Sequence, residues 1–107
     1  MNYRHAYHAG NFADVFKHII LARLLEYMKV KDKPFRVFDT HSGIGLYDLG
    51  SEQAGKTGEW QSGVKRIMDA QPPAAVNRLI GPWKDAVRTV GEGHYPGSPR
   101  VAHALLR

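Results

Sequence analysis

Apolar residues recur every four positions from Phe12 through Phe16, Ile20, Leu24 and Met28, with Val15, Ile19, Leu21 and Leu25 widening the stripe. That period belongs to one face of an α-helix, and it predicts a helix led by Asn11 and running to about Met28. Asn11 stands where an N-cap belongs, and Asp14 falls in the first turn, where a carboxylate suits the positive end of the helix dipole. The basic stretch 29–34 ends in Pro34, and proline disfavours helix in the residue before it.

The pattern then changes. Phe35-Arg-Val-Phe-Asp39 is short, β-branched and aromatic, and predicts a buried strand whose carboxyl end carries Asp39, followed by a glycine turn at Gly43 and Gly45. Residues 50–58 read as a loop. Three helical pieces follow: 60–70, then 74–80 behind Pro72 and Pro73, then 83–90 behind Pro82, since proline suits a first helical turn. The stretch GEGHYPGSP, 91–99, reads as another loop, after which Ser98 caps a helix begun by Pro99 that carries Val101, Leu105 and Leu106. This last helix is expected to run straight into Arg107, since no glycine or other stop signal precedes it. A lone strand makes no sheet, and a strand with a glycine turn of this kind belongs to parallel sheets with helices on both faces. The expected fold class is therefore α/β, and the chain reads as the front part of a longer protein.

Length and composition sharpen this picture. With 107 residues there is room for one modest domain. At 43% hydrophobic and 23% charged the chain is globular, and no apolar run approaches the roughly 20 residues that span a bilayer. No apolar signal-peptide core follows the start, so the expected location is the cytoplasm, with no membrane partner. The absence of cysteine removes disulfides and thiolate chemistry and leaves only histidine and carboxylate as metal ligands. Fifteen Lys and Arg against ten Asp and Glu give a net charge of +5 and a pI near 9.7, which favours polyanionic partners through counterion release.

The densest local chemistry is DTHSGIG, 39–45. Glycines after a strand let the backbone approach a nucleotide-like ligand at the carboxyl edge of a sheet. It is no P-loop, because no Gly-Lys-Ser/Thr follows, and no dinucleotide fingerprint, because Asp48 replaces the third glycine. The remaining spacing, D-x-x-x-G-x-G, is that of the cofactor loop of S-adenosylmethionine-dependent methyltransferases, although a tight turn needing positive φ accounts for the same glycines.

The amino-terminal YRHAYHAGN, 3–11, admits several readings. His5 and His8 are three apart but precede the helix cap, and with no HExxH signature the reading is no metal. Tyr3, Arg4, His5 and Tyr7 combine flat rings with cationic donors, which is what holding an unstacked base and its phosphates requires; a solvated tail is the plainer alternative. Lys17 and His18 lie within two turns of the helix start, either on a solvated face or against a ligand above the sheet edge. QPPA, 71–74, has prolines after a helix and no aromatic ring, so it is a helix break rather than a target-nitrogen loop.

YRHAYHAGNFADVFKH, DKPF, DTHSGIGLYDLGS, KTGEW and YPGSP, in this order, resemble the amino-terminal part of the RlmJ family, bacterial methyltransferases that modify the exocyclic amine of an adenine in 23S ribosomal RNA. The resemblance implies a Rossmann-like class I methyltransferase fold with an incomplete sheet. Residues 1–50 would form its amino-terminal motif, first helix, first strand and glycine loop, 51–93 a small helical insertion, and 94–107 the return to the Rossmann-like domain. It implies S-adenosylmethionine as cofactor, held by Lys17, His18, His41, Gly43, Gly45 and Ser98, and 23S ribosomal RNA as partner, met by Tyr3, Arg4 and His5. The family's Asp-Pro-Pro-Tyr catalytic loop has no counterpart in this sequence, and the resemblance places it beyond Arg107. The chain is therefore expected to be an inactive fragment with no catalytic residue of its own, from a protein monomeric at full length. The alternative is a basic RNA-binding or assembly module without catalysis.

Overall fold

The computed structural model describes residues 4–40 and 43–106. Helix α1, Phe12–Lys29, starts as the sequence predicts: the Asn11 side chain accepts a hydrogen bond from the Asp14 amide. Its apolar stripe is split between core and solvent. The positions four apart are exposed, with Phe12 at 75%, Phe16 at 68% and Leu24 at 56% accessible, whereas Val15 and Leu25, which widen the stripe, are buried together with His18 and Ala22. The helix is apolar nearly all round, and α4 and α5 pack on its less regular face. Periodicity finds such a helix but does not choose between its two apolar faces.

The strand expected over Phe35–Asp39 is not formed. Residues 34–39 carry no regular element, and Phe38 is 83% accessible. A strand exists only with a hydrogen-bonded neighbour, and among the described residues no other strand lies beside this segment. The strands that do form are β1, Leu46–Asp48, and β2, His94–Pro96, paired antiparallel with Tyr47 opposite Tyr95. Thus β2 falls in a stretch expected to be loop, and the only sheet among the described residues is this two-stranded ribbon rather than a parallel one. Backbone bonds extend the ribbon at both ends, from Leu49 N to Gly93 O at 2.7 Å and from Gly97 N to Gly45 O at 2.8 Å.

Helix α2, Glu52–Thr57, replaces a second expected loop. Ser51 caps it by accepting from the Ala54 amide, and Gly58 closes it at φ +62°. A π-helical turn, Gln61–Lys65, then leads into α3, Arg66–Asp69. Beyond the Pro72-Pro73 break, the two expected helices are one, α4, Ala74–Thr89, with Pro82 inside it. Pro82 removes one helical amide, but Gly81 before it has no Cβ to meet the proline ring. Ile80, Trp83, Ala86 and Val87 stay on one buried face across the break; each large apolar side chain so buried is worth roughly 1.5–3 kcal/mol, enough together to offset the lost bond.

Helix α5, Ser98–Leu105, begins one residue earlier than expected, with Gly97 as the N-cap and Ser98 inside. Nor does it run on toward Arg107: it stops at Leu105, and Leu106 is already extended, at φ −72° and ψ 150°. Arg107 itself lies outside the described residues, so the expectation that the catalytic loop falls beyond it concerns sequence alone. The core joins Val15, Ala22 and Leu25 of α1 to Trp83 and Val87 of α4, Tyr95 of β2, and Val101 and Leu105 of α5.

Candidate functional site

Four segments meet at one end of α1 and, with Gln53 of α2, enclose a cleft of about 630 Å³, within the range of small-molecule sites. The first is the amino-terminal stretch. A 3₁₀ turn, His5–Tyr7, folds back over the start of α1, and Gly10 at φ +75° turns the chain into the helix. This stretch is firmly docked, which aromatic and histidine content alone does not foretell. His5 Nε2 lies 2.6 Å from Asp14 Oδ2, the Gly10 amide donates to the same oxygen at 3.0 Å, and His8 Nδ1 lies 2.9 Å from Glu59 Oε2. Asn11 Nδ2 also donates to Glu59, at 3.2 Å.

The docking has a steric condition. The Val64 amide donates to Gly10 O at 2.8 Å, and a Cβ on Gly63 would stand 2.1 Å from that same oxygen and 2.6 Å from the Asn11 carbonyl carbon. Only glycine lets the π-helical turn approach the α1 cap this closely.

The second segment is the first two turns of α1, which supply Asp14, Lys17 and His18. Asp14 is buried at 3% accessibility. Burial alone would raise its pKa, but the His5 hydrogen bond, the Gly10 amide and the nearby histidines outweigh burial and hold it below the usual value. An ionised Asp14 can only accept, so His5 carries its hydrogen on Nε2. Lys17 Nζ stands 3.9 Å from Asp14 Oδ1. His18 is 1% accessible, and burial lowers it to about 4 against the opposing pull of Asp14, so its ring is neutral at pH 7.

The third segment is the glycine loop entering β1. Gly43 and Gly45 take φ of +65° and +85°, and a Cβ on Gly43 would stand 2.5 Å from the Tyr47 hydroxyl. Tyr47 meets the His5 ring edge-on at 5.2 Å, tying this loop to the amino-terminal turn. The fourth segment is the β2–α5 turn, with Gly97 and Ser98. The Ser98 hydroxyl donates to the Asp39 carboxylate rather than capping α5, which joins the 34–39 segment to the cleft.

Of the residues singled out in the sequence, Arg4, His5, Lys17, His18, Gly43 and Ser98 all line this one cleft. Gly45 lies just behind, packed toward Pro99 and Arg100. Tyr3 and His41, like Arg107, lie outside the described residues. The sequence reading missed Tyr47 and Gln53, which also line the cleft. The signal for Tyr47 was alternation in Leu46-Tyr47-Asp48, and for Gln53 the Ser51 cap of α2. No three His, Asp or Glu side chains converge as metal ligands among the described residues. No helix among them is long and apolar enough to cross a membrane.

Comparison with known proteins places these residues in context. The family model described as ribosomal RNA large subunit methyltransferase D, RlmJ, matches residues 32–107. A protein named ribosomal RNA large subunit methyltransferase J from Escherichia coli is 46% identical over 108 residues, and one of the same name from Haemophilus influenzae is 41% identical over 113 residues. Each alignment covers 100% of this chain and 39% of the relative, so the chain spans about two fifths of the length of these curated relatives. The crystal structure of protein LPL1258 from Legionella pneumophila superposes with a TM-score of 0.78 at 37% identity, covering 92% of this chain and 36% of that one.

Proposed function

Because the chain belongs to the RlmJ family of ribosomal RNA large subunit methyltransferases, we infer that its cleft is the S-adenosylmethionine site of an enzyme that methylates the exocyclic amine of an adenine in 23S ribosomal RNA. The observation carrying this reading is convergence: residues as far apart in sequence as His5, Lys17, Gly43 and Ser98 line a single cleft of about 630 Å³. The donor set fits such a ligand, with the Lys17 ammonium, the His18 imidazole and the Ser98 hydroxyl available to its polar atoms and the side of Tyr47 to its flat ones. His41 of the glycine loop is assigned to the same site.

When bound, S-adenosylmethionine supplies an electrophilic methyl group. The residues of this chain bind and orient: Lys17 and His18 close one wall, Gly43 keeps the loop low against Tyr47, and Ser98 exchanges its bond to Asp39 for one to the ligand. Arg4 and His5 line the cleft, where an incoming RNA base and its phosphates would meet a cation and a flat ring, and Tyr3 is assigned to the same contact. Holding the reactants together is the main catalytic contribution such a site makes. The sequence contains no Asp-Pro-Pro-Tyr, and we assign the loop that orients the adenine amine to the remaining length of the relatives. In the family-length protein the fold is Rossmann-like: the exposed apolar face of α1 and the irregular 34–39 segment are the surfaces a parallel sheet would cover. The location is cytoplasmic, as its ribosomal substrate requires.

Titration with S-adenosylhomocysteine tests the site. Saturable binding, weakened in both His41→Ala and Ser98→Ala, is expected; unchanged affinity in both variants contradicts the cofactor assignment. The net charge of +5 and the exposed Arg4 favour a second reading, a basic RNA-binding module. Salt-dependent RNA retention sensitive to Arg4→Ala, without any S-adenosylhomocysteine binding, would select it instead.

A further inference from the structure

Behind the cleft wall, His18, Tyr95 and Trp83 form a buried chain. His18 Nδ1 lies 2.7 Å from the Tyr95 hydroxyl oxygen, and Trp83 Nε1 donates to that oxygen at 3.4 Å. The His18 and Tyr95 rings stack at 5.5 Å, and Tyr95 and Trp83 are both fully buried.

The hydrogen positions follow from what each group can do. An indole N–H only donates, so the Tyr95 oxygen accepts from Trp83. Burial pushes the Tyr95 phenol well above its usual value, so it keeps its proton. Among the described residues that proton has one acceptor within reach, His18 Nδ1. The reverse arrangement, with Nδ1 donating, would leave the phenol proton buried without an acceptor. A neutral ring that accepts at Nδ1 carries its hydrogen on Nε2. Nε2 has no hydrogen-bond partner among the described residues, and no buried side-chain nitrogen or oxygen among them lacks one. This edge therefore opens to the cleft that His18 lines.

We propose that Tyr95 is a positioning residue of the cleft: its hydroxyl, itself oriented by Trp83, fixes His18 in the Nε2–H tautomer and so makes this wall a hydrogen-bond donor to the bound ligand. The ligand half of the proposal rests on the cofactor reading above; the tautomer half does not. A merely structural Tyr95 would fill space and leave the imidazole proton where it was.

Long-range proton–nitrogen correlation spectra of the nitrogen-15-labelled chain read the tautomer directly. The wild type is expected to show His18 protonated on Nε2 and bare on Nδ1. Tyr95→Phe, which keeps the ring and removes the hydroxyl, should shift His18 toward the Nδ1–H form and weaken S-adenosylhomocysteine binding about tenfold, the worth of one lost hydrogen bond. In a His18→Gln background, where the donor is an amide with no tautomer to set, Tyr95→Phe should change affinity little. An Nδ1–H ring in the wild type overturns the proposal without any variant being needed. So does a His18 spectrum unchanged in a folded Tyr95→Phe. A tautomer that responds to Tyr95 in a chain that binds no S-adenosylhomocysteine supports the tautomer assignment and overturns the cofactor reading alone.

Discussion

The approach of Gly63 to the α1 cap gives the most sharply defined perturbation. In Gly63→Ala the new Cβ would lie 2.1 Å from Gly10 O, 2.6 Å from the Asn11 carbonyl carbon and 2.8 Å from Asn11 Cα, all of them backbone atoms. No side chain can rotate away, so the two backbones must separate by about 1 Å to restore ordinary packing distances. Overpacking of this kind costs roughly 1–3 kcal/mol, and the separation also breaks the Val64–Gly10 hydrogen bond, worth about 1 kcal/mol. A total of about 3 kcal/mol should lower the melting temperature by well over roughly 10 °C in a domain of this size. Circular dichroism melts read the loss. Limited proteolysis should show the amino-terminal turn released first, because Gly10 and Asn11 hold it in place. Gly55→Ala in α2 is the matched control: a Cβ there meets nothing within 4 Å, and replacing a mid-helix glycine with alanine is neutral or stabilising. Equal melting temperatures for the two variants would mean that the close approach at Gly63 imposes no steric requirement.

Acid should destabilise the fold by a calculable route. The unfolded His18 takes up a proton near pH 6.5 and the folded one only near 4. Stability is therefore full above the unfolded value and falls as pH drops toward the folded one, by about 3 kcal/mol. Asp14, depressed in the folded state, adds a further loss as pH drops below its ordinary range. Urea melts from about pH 4 to neutrality check this, and His18→Gln should flatten the profile in that window. Asn11→Ala removes the α1 cap and should cost about 1 kcal/mol in the same melts; no change would mean that the Gly10–Asp14 bond suffices alone. Trp83→Ala empties the fully buried centre of α4 and should cost about 3–5 kcal/mol, enough to leave a large share of the chain unfolded in the same melts at low denaturant.

Local rules located α1, because the Asn11 cap and an apolar period of four act within one element. They also located the glycine turn, because positive φ at Gly43 and Gly45 is a property of single residues. They failed wherever a partner decides the outcome. Phe35–Asp39 has the composition of a strand and no neighbouring strand among the described residues, whereas His94–Pro96 has the composition of a turn and becomes a strand because Tyr47 lies opposite Tyr95. Pro82 ends a helix by local preference, yet Trp83 and Val87 share a buried face with Ile80 and carry the helix through it. The face of α1 that packs inward was set by where α4 and α5 fall, information no single period contains. The cleft was legible as a list of residue types and not as a place. Tyr47, Gln53 and the Tyr95–Trp83 pair behind His18 emerge only when β1, α2 and β2 are brought to the end of α1.

Amide shift mapping of the labelled chain against S-adenosylhomocysteine reads directly whether the cleft between the amino-terminal turn, α1 and the glycine loop receives the proposed cofactor. Saturable shifts concentrated at Lys17, His18, Gly43, Gly97 and Ser98, and lost in Ser98→Ala, are expected. Shifts concentrated instead in the separate cleft lined by Trp60, Met68 and His94, or no shifts in a folded chain, would contradict it.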